Sequence, residues 1–437
     1  MKRVLVIAYY FPPMGMGGVQ RTMKFARYLP EFEWDPIILT VKDVLYHARD
    51  ESLLEEIRER KVIRTESLDP QRICWKLMRG EKKSAVTRSR QKRPSILEKI
   101  NRNLLTWFLI PDPKVLWLPH VIFRAKRLIR SMDVDLVFTT SPPQSVHLAG
   151  LRLRKRTGLP WVADFRDNWL TKRYEDVPTS IHRRLNDRLV RRVVREADRI
   201  ITVSQPTTGD LIQRSGRNDE HFSTLLNGFD RTDFEGIESR PRERFTITYS
   251  GALDPVRNPE VFLKGVARAV GTREEIRGKI RIRFVGSVYG IDLERMIHRN
   301  RLGDIVEVAG YVSHRKSIET LMSSDLLVLL VSEASGSDLI PGKIFEYLAS
   351  GKPILAIVPR GEAATLILKH ARGVVVPPED EETIARHILR SFALWERGDL
   401  KVTVPRWDGM NEYERRFQTG VLAKIFDRVV CERSGKG

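Results

Sequence analysis

Little in this 437-residue sequence could staple a loop or hold a structural metal. There are two cysteines, Cys74 and Cys431, far apart in the chain, and the nine histidines do not cluster. That argues against a disulfide framework or a zinc site and favours a reducing cytosol. Long apolar runs are missing too: the most apolar, Leu104–Ile110, falls far short of the roughly 20 residues a membrane span needs. Met1-Lys2-Arg3 before Val4–Phe11 has the outline of a signal peptide. Pro12-Pro13 and a glycine cluster, however, stand where a small-residue cleavage site belongs, so the run predicts a first strand. No internal repeat or low-complexity tract stands out, and the glycine loop after that strand does not spell Gly-x-Gly-x-x-Gly.

What is present is ample apolar material and an excess of positive charge. With 41% hydrophobic residues the chain can build two domains, each with its own core. The net charge of +20 falls mainly in the first half. Residues 71–102 hold eleven basic and two acidic residues, interrupted by Ile73, Trp75, Leu77, Met78, Ile96, Leu97 and Ile100. Such a mixture suits an anionic membrane surface, would attract nucleic acid, and equally reads as a solvated basic insertion.

The most informative stretch is 325–353. Leu326–Val331 has the length of a buried strand, Ser332–Ser337 is a polar loop, and Pro341 stands at a helix-starting position. In the helix Ile344, Phe345 and Leu348 share one face, and Lys343, Glu346 and Ser350 another. Gly351 and Pro353 end it, and Ile354–Val358 is the next strand. A helix that starts at the carboxyl edge of a parallel sheet favours an anion. Lys343 adds a cation to that place, and Glu346 can accept from both hydroxyls of a ribose. The same pair also reads as a solvated helix-face ion pair.

Elsewhere the chain alternates in the same way. Val4–Tyr10 is a strand, and Gly15, Gly17 and Gly18 precede a helix carrying Phe25, Ala26 and Leu29. Ile37–Val41 predicts a second strand and Leu53–Arg60 a polar helix; residues 70–130 break the rhythm, with Trp107 and Trp117 available as anchors. Val134–Thr139 and Trp161–Asp164 are further strands, the latter running into Asp164, Arg166 and Asp167, either a buried ion-pair network or cleft residues. Asn227-Gly228 marks a turn, and Glu238–Arg244 suits a linker. From Phe245 a second alternation begins, with Ser250-Gly251 and Gly286 at strand ends and a last amphipathic helix around Glu412–Val430.

Asp338-x7-Glu346 followed by Tyr-Leu-Ala-Ser-Gly-Lys-Pro resembles the nucleotide-sugar signature of retaining glycosyltransferases of family 4, with Asp338 where the family has Glu. Tyr-Tyr-Phe-Pro-Pro before Gly-Gly-Val-Gln-Arg resembles the family's opening. Asp164-Phe165-Arg166-Asp167 resembles an Asp-x-Arg-Asp segment of a subset, with Arg166 where many relatives have His. Ser250-Gly251-Ala252-Leu253 replaces the family's Ser-Gly-Arg-Leu, and Arg257 stands in for its following Lys.

The resemblance implies an α/β, GT-B fold of two doubly wound Rossmann-like domains facing a cleft. The first would span 1–237 with the basic insertion at about 70–130, the linker 238–244, the second domain 245–402, and a segment 403–437 would pack back on the first. It also implies retaining, metal-independent sugar transfer from a nucleoside-diphosphate sugar, with no cofactor, to the hydroxyl of a glycan or lipid-linked acceptor. Gly17, Gly18, Arg257, Lys343 and Glu346 would hold the donor, and Asp167, Arg166 and Asp338 the reacting sugar. An anionic membrane surface is a further expected partner, on the inner face of the cell membrane; nucleic acid is not. A sugar-nucleotide 2-epimerase of the same fold, and a non-catalytic accessory that binds nucleotide sugar or membrane, are the alternatives.

Overall fold

The computed structural model describes residues 1–15, 17–44, 48–78, 107–169, 179–238, 243–333, 339–400 and 407–435. Contacts divide the chain into two compact units, Met1–Asn227 with Arg415–Gly437, and Gly228–Glu414. The division precedes the polar stretch 238–244, of which 239–242 lie outside the described residues.

The first unit holds seven parallel strands: β1 (Lys2–Ile7), β2 (Trp34–Val41), β3 (Lys61–Thr65), β4 (Leu136–Ser141), β5 (Trp161–Phe165), β6 (Arg199–Thr202) and β7 (Phe222–Thr224). Their order is β3-β2-β1-β4-β5-β6-β7. Runs such as Val4–Ile7 and Leu136–Ser141 are buried throughout because helices cover both faces of a parallel sheet. One face carries a core with Leu5, Val121, Val137 and Val193, the other a core with Val4, Phe138, Trp34 and Phe426. Phe426 belongs to the last helix, Arg415–Arg433, and meets the Trp34 and Phe138 rings edge-on at 5.3 and 5.4 Å.

Two expectations need adjusting here. The first strand stops at Ile7, short of Tyr10, because the chain turns toward Pro12 and Pro13, which have no N–H for a ladder. Residues 53–60 form a single turn, Ser52–Glu55, since Leu53 and Ile57 are too narrow an apolar stripe to hold a longer helix.

The second unit holds six parallel strands: β8 (Phe245–Ser250), β9 (Ile280–Val285), β10 (Val306–Gly310), β11 (Leu326–Leu330), β12 (Ile354–Ile357) and β13 (Gly373–Val376). Their order is β10-β9-β8-β11-β12-β13. Its core includes Ile247, Phe284, Val328 and Ile388. In each sheet the winding reverses once, between β1 and β4 and between β8 and β11. At such a point the loops leaving the carboxyl ends diverge and open a crevice. The winding of each sheet thus marks one edge as the place for a crevice.

Candidate functional site

In the second unit, the geometry at the β8/β11 reversal follows from unfinished hydrogen bonding. The β8–β11 ladder pairs Ile247 with Leu326 and Thr248 with Leu327 and goes no further. The next main-chain groups on that side of β8 belong to Ser250 and would be buried without partners. The helix Lys343–Ser350 supplies both. Tyr347 Oη accepts the Ser250 N–H at 2.8 Å, and Lys343 Nζ donates to the Ser250 carbonyl at 2.5 Å. Lys343 and Tyr347 are one turn apart, so a single helix face clasps the strand end.

The Lys343 ammonium lies 4.4 Å from the Tyr249 ring centroid and 3.3 Å from its hydroxyl. A Cβ on Gly251, whose φ is +139°, would sit 1.4 Å from that nitrogen. Gly251 is therefore required both by its backbone and by the lysine resting on it. Burial, aided by the Arg257 charge, lowers the Lys343 pKa to about 7; Glu346 and Asp254 oppose the shift. The strand ends continue the pattern: Gly251 N–H donates to Val285 at 2.6 Å, and Gly286 N–H to Gly310 at 2.7 Å. A side chain on Gly286 would strike the Gly251 carbonyl. At this edge the glycines make room for the Lys343 side chain and for close approach of neighbouring backbone.

Arg257 is brought to the same edge but is already engaged. Its Nη2 is 2.5 Å from Asp254 Oδ2, and Asp254 also accepts the Val256 and Arg257 N–H groups. Burial opposes both charges, and their mutual hydrogen bond overrides it, holding Asp254 below and Arg257 above their ordinary values. Any anion reaching Arg257 would meet it as half of a pair. Glu346 is half-buried on the turn between Lys343 and Tyr347. Ser350, expected on the same polar face, is instead buried, its hydroxyl returned to the Tyr347 carbonyl at 2.6 Å. The first turn of this helix has no side-chain cap. Asp338 lies outside the described residues.

In the first unit, Gly17 and Gly18 are exposed at the start of the helix Gly17–Tyr28. A Cβ on Gly18 would approach Arg166 Nη1 at 3.8 Å. Arg166 is buried and donates from Nε to the Ser141 carbonyl at 2.6 Å and from Nη2 to the Pro142 carbonyl at 3.3 Å, so the ends of β4 and β5 and the start of the helix Gly17–Tyr28 meet around its guanidinium. Asp167, the next residue, is half-buried. Asp164 has a different role: it takes Arg21 Nη2 at 2.9 Å and the Thr140 hydroxyl at 2.8 Å, and both members of that ion pair are sealed from solvent.

Several polar residues at this edge were not singled out from sequence. Asp112 accepts the Ser145 N–H at 2.8 Å and its hydroxyl at 2.9 Å, capping the helix Ser145–Thr157 from outside. Burial raises its pKa and, with Asp112 and Asp69 nearby, also that of Tyr10. His147 stacks on Phe165 at 4.4 Å, and its Nδ1 lies 2.9 Å from the Thr139 hydroxyl. Burial lowers its pKa to about 3, so the ring is neutral. His147 Nε2, both amide atoms of Gln144, and Ser141 Oγ are buried without partners among the described residues. Such groups mark where a bound hydroxyl or an ordered water completes the hydrogen bonding. The available signal was Ser-Pro-Pro-Gln-Ser-x-His directly after a buried strand, polar residues in the first turn of a helix at a carboxyl edge. The Asp-x-Asp pair of the chain, Asp133 and Asp135, precedes β4 at the opposite, amino edge, where Asp135 accepts the Arg3 N–H at 2.7 Å.

Comparison with known proteins matches this architecture. The model described as Glycosyltransferase Family 4 matches residues 16–233, and Glycosyl transferases group 1 matches 244–393. A D-inositol 3-phosphate glycosyltransferase of Streptomyces scabiei is 24% identical over 217 residues, 46% of this chain and 47% of that protein. The chain thus spans about half the length of the curated relatives it matches. Among solved structures, Anabaena HepE in complex with UDP and glucose superposes with a TM-score of 0.65 at 14% identity, covering 98% of this chain and 100% of that one. Sucrose-phosphate synthase from Thermosynechococcus elongatus superposes at 0.64 and 15% identity with the same coverage. At these identities the likeness is one of fold.

Proposed function

Since the chain belongs to the group 1, family 4 glycosyltransferases, we propose that it moves a sugar from a nucleoside-diphosphate sugar to an acceptor hydroxyl with retention of configuration. The observation that carries this reading is the clasp of Lys343 and Tyr347 on Ser250, which fixes Glu346 and an uncapped helix start beside the carboxyl end of β8. In that arrangement Lys343, Arg257 and the first-turn N–H groups stabilise the charge growing on the leaving diphosphate. Glu346 takes the two ribose hydroxyls. Gly17 and Gly18 offer backbone N–H groups, and Arg166 and Asp167, with Asp338 beyond the described residues, serve the transferred sugar.

Retention then follows a front-face path in which the departing phosphate takes the acceptor proton as the new glycosidic bond forms on an oxocarbenium-like carbon. Isolation of a covalent sugar adduct under turnover would rule this path out. The HepE complex with UDP and glucose makes UDP the first donor to test. The acceptor is a glycan or lipid-linked intermediate of envelope or extracellular glycan synthesis, met at an anionic membrane surface on the cytoplasmic side. Transfer needs no metal, so chelator leaves the rate unchanged.

Calorimetry with UDP, GDP, ADP and CMP tests the reading. One nucleoside diphosphate binds, and Glu346→Ala costs about 1.5–3 kcal/mol, tenfold or more in affinity. Equal binding by the variant, or no binding by the intact chain, removes the donor site. Product analysis with the acceptors separates transfer from 2-epimerisation.

A further inference from the structure

The helix Ser180–Glu196 of the first unit buries His182, Asn186, Val190, Val193 and Val194. Its exposed side carries Ile181, Arg184, Leu185, Arg188 and Arg192, recurring at three, four and seven residues and therefore on one face. Among the described residues Arg191 pairs with Asp187, Arg184 and Arg188 form no ion pair, and Arg192 lies in the field of Glu196, whose close partner is Lys155. The first turn is joined by the chain at Trp107. Its carbonyl lies 2.9 Å from His182 Nε2, and its indole meets that imidazole edge-on at 5.4 Å. This anchorage leaves Phe108 79% exposed and Ile181 64% exposed. An aromatic and an aliphatic side chain standing out from a fixed turn are costly in water.

Lys126 of the helix Leu118–Ser131 is close enough to Arg156 of the helix Ser145–Thr157 and to Arg130 for their charges to oppose its own, but these three stand at the helix ends nearest the amino edge and take no part in this tip. Arginines alone would suit any polyanion. The apolar tip selects among them, because a bilayer interface takes aromatic and aliphatic groups at headgroup depth while arginines reach lipid phosphates. An RNA would use Phe108 for stacking but leaves the aliphatic Ile181 and Leu185 unexplained.

We propose that Phe108, Ile181 and Leu185, with Arg184, Arg188 and Arg192, form a docking surface for an anionic lipid bilayer. The helix follows β5 and so begins at the carboxyl edge of the first sheet, the edge where Gly18 and Arg166 lie. Docking by this end brings that edge to the headgroups, where a lipid-carried acceptor presents its hydroxyl. The surface names the partner of the proposed acceptor side and rests on that reading. It differs from the basic stretch 71–102, most of which lies outside the described residues.

The test is co-sedimentation of the full chain with vesicles of phosphatidylglycerol in phosphatidylcholine, and of phosphatidylcholine alone. Melting temperature and UDP binding are measured on each protein. The chain binds the anionic vesicles only, and less at high salt. Arg184→Glu, Arg188→Glu and Arg192→Glu together lower binding about tenfold or more, Lys at the three positions retains it, and Phe108→Ser with Ile181→Ser lowers it severalfold. Melting and UDP binding hold in all of them. If the triple Glu variant does not fold, Gln at the three positions replaces it. Unchanged vesicle binding in these variants overturns the surface. So does loss of binding on removing 79–102 while the variants still bind, or absence of vesicle binding with UDP binding intact, which leaves the transferase reading standing.

Discussion

At the scale of single residues the second unit is built around one lysine resting on one glycine. Gly251→Ala puts a methyl where Lys343 Nζ lies and forces a φ of +139° on an L-residue. The expected cost is about 1–3 kcal/mol, read as a lowered melting temperature, together with loss of UDP affinity as the ammonium is displaced. Acidity gives a second handle. With a pKa near 7 against the usual 10.5, Lys343 is largely neutral in the free protein above pH 7. Between those values the unfolded chain holds a proton the folded one has lost, so this group makes stability rise with pH across that window, and Lys343→Met flattens the rise. A diphosphate drawn to the ammonium restores the proton. UDP affinity should therefore fall as pH rises above about 7, with proton uptake visible as a dependence of the calorimetric heat on buffer ionisation enthalpy. Heats independent of buffer at pH 8 would show that Lys343 does not meet the ligand.

At the scale of elements the buried pair of Arg21 and Asp164 ties the helix Gly17–Tyr28 to β5, and Arg21 also donates to the Leu225 and Leu226 carbonyls at 2.9 and 2.8 Å. Breaking such a pair leaves a buried charge alone, so Arg21→Met should cost about 3–5 kcal/mol in denaturant unfolding, and the double change with Asp164→Leu less. The contrast between these elements explains what was legible in the sequence. Buried strands such as Val4–Ile7 and Leu326–Leu330, and the helix holding Lys343 and Glu346, are visible because apolar runs and a 3.6-residue period are local. The role of Asp164 as an anchor is invisible locally, because its partner is 143 positions away. The role of Tyr347 is equally invisible, because nothing in the chain announces that the β8–β11 ladder ends early and leaves Ser250 to be satisfied. Asp112 was hidden for a like reason, since the helix it caps begins 33 residues later. Nothing local links Phe108 with Ile181; only the fold brings the chain at Trp107 to the helix start at His182.

At the scale of the whole molecule the chain leaves its first unit at Asn227 and returns to it at Arg415. The helix Arg415–Arg433 then closes one face of the seven-stranded sheet, Gly420 fitting against the Phe32 ring, where a Cβ would come within 2.8 Å. Removing residues 415–437 should speed amide exchange in β1, β2 and β4 and leave β8, β11 and β12 protected, which hydrogen-exchange mass spectrometry would resolve. Equal loss of protection in both sets would mean that the two units unfold as one. The looped path also sets a timetable on the ribosome. The second unit is one uninterrupted stretch and can finish folding as it emerges, whereas the first waits until residues 228–414 have been translated, roughly ten to forty seconds at ordinary elongation rates. Through that interval Trp34 and Phe138 lack their Phe426 cover. The first unit is begun first, completed last, and during that wait is the part of the nascent chain that chaperones must shield.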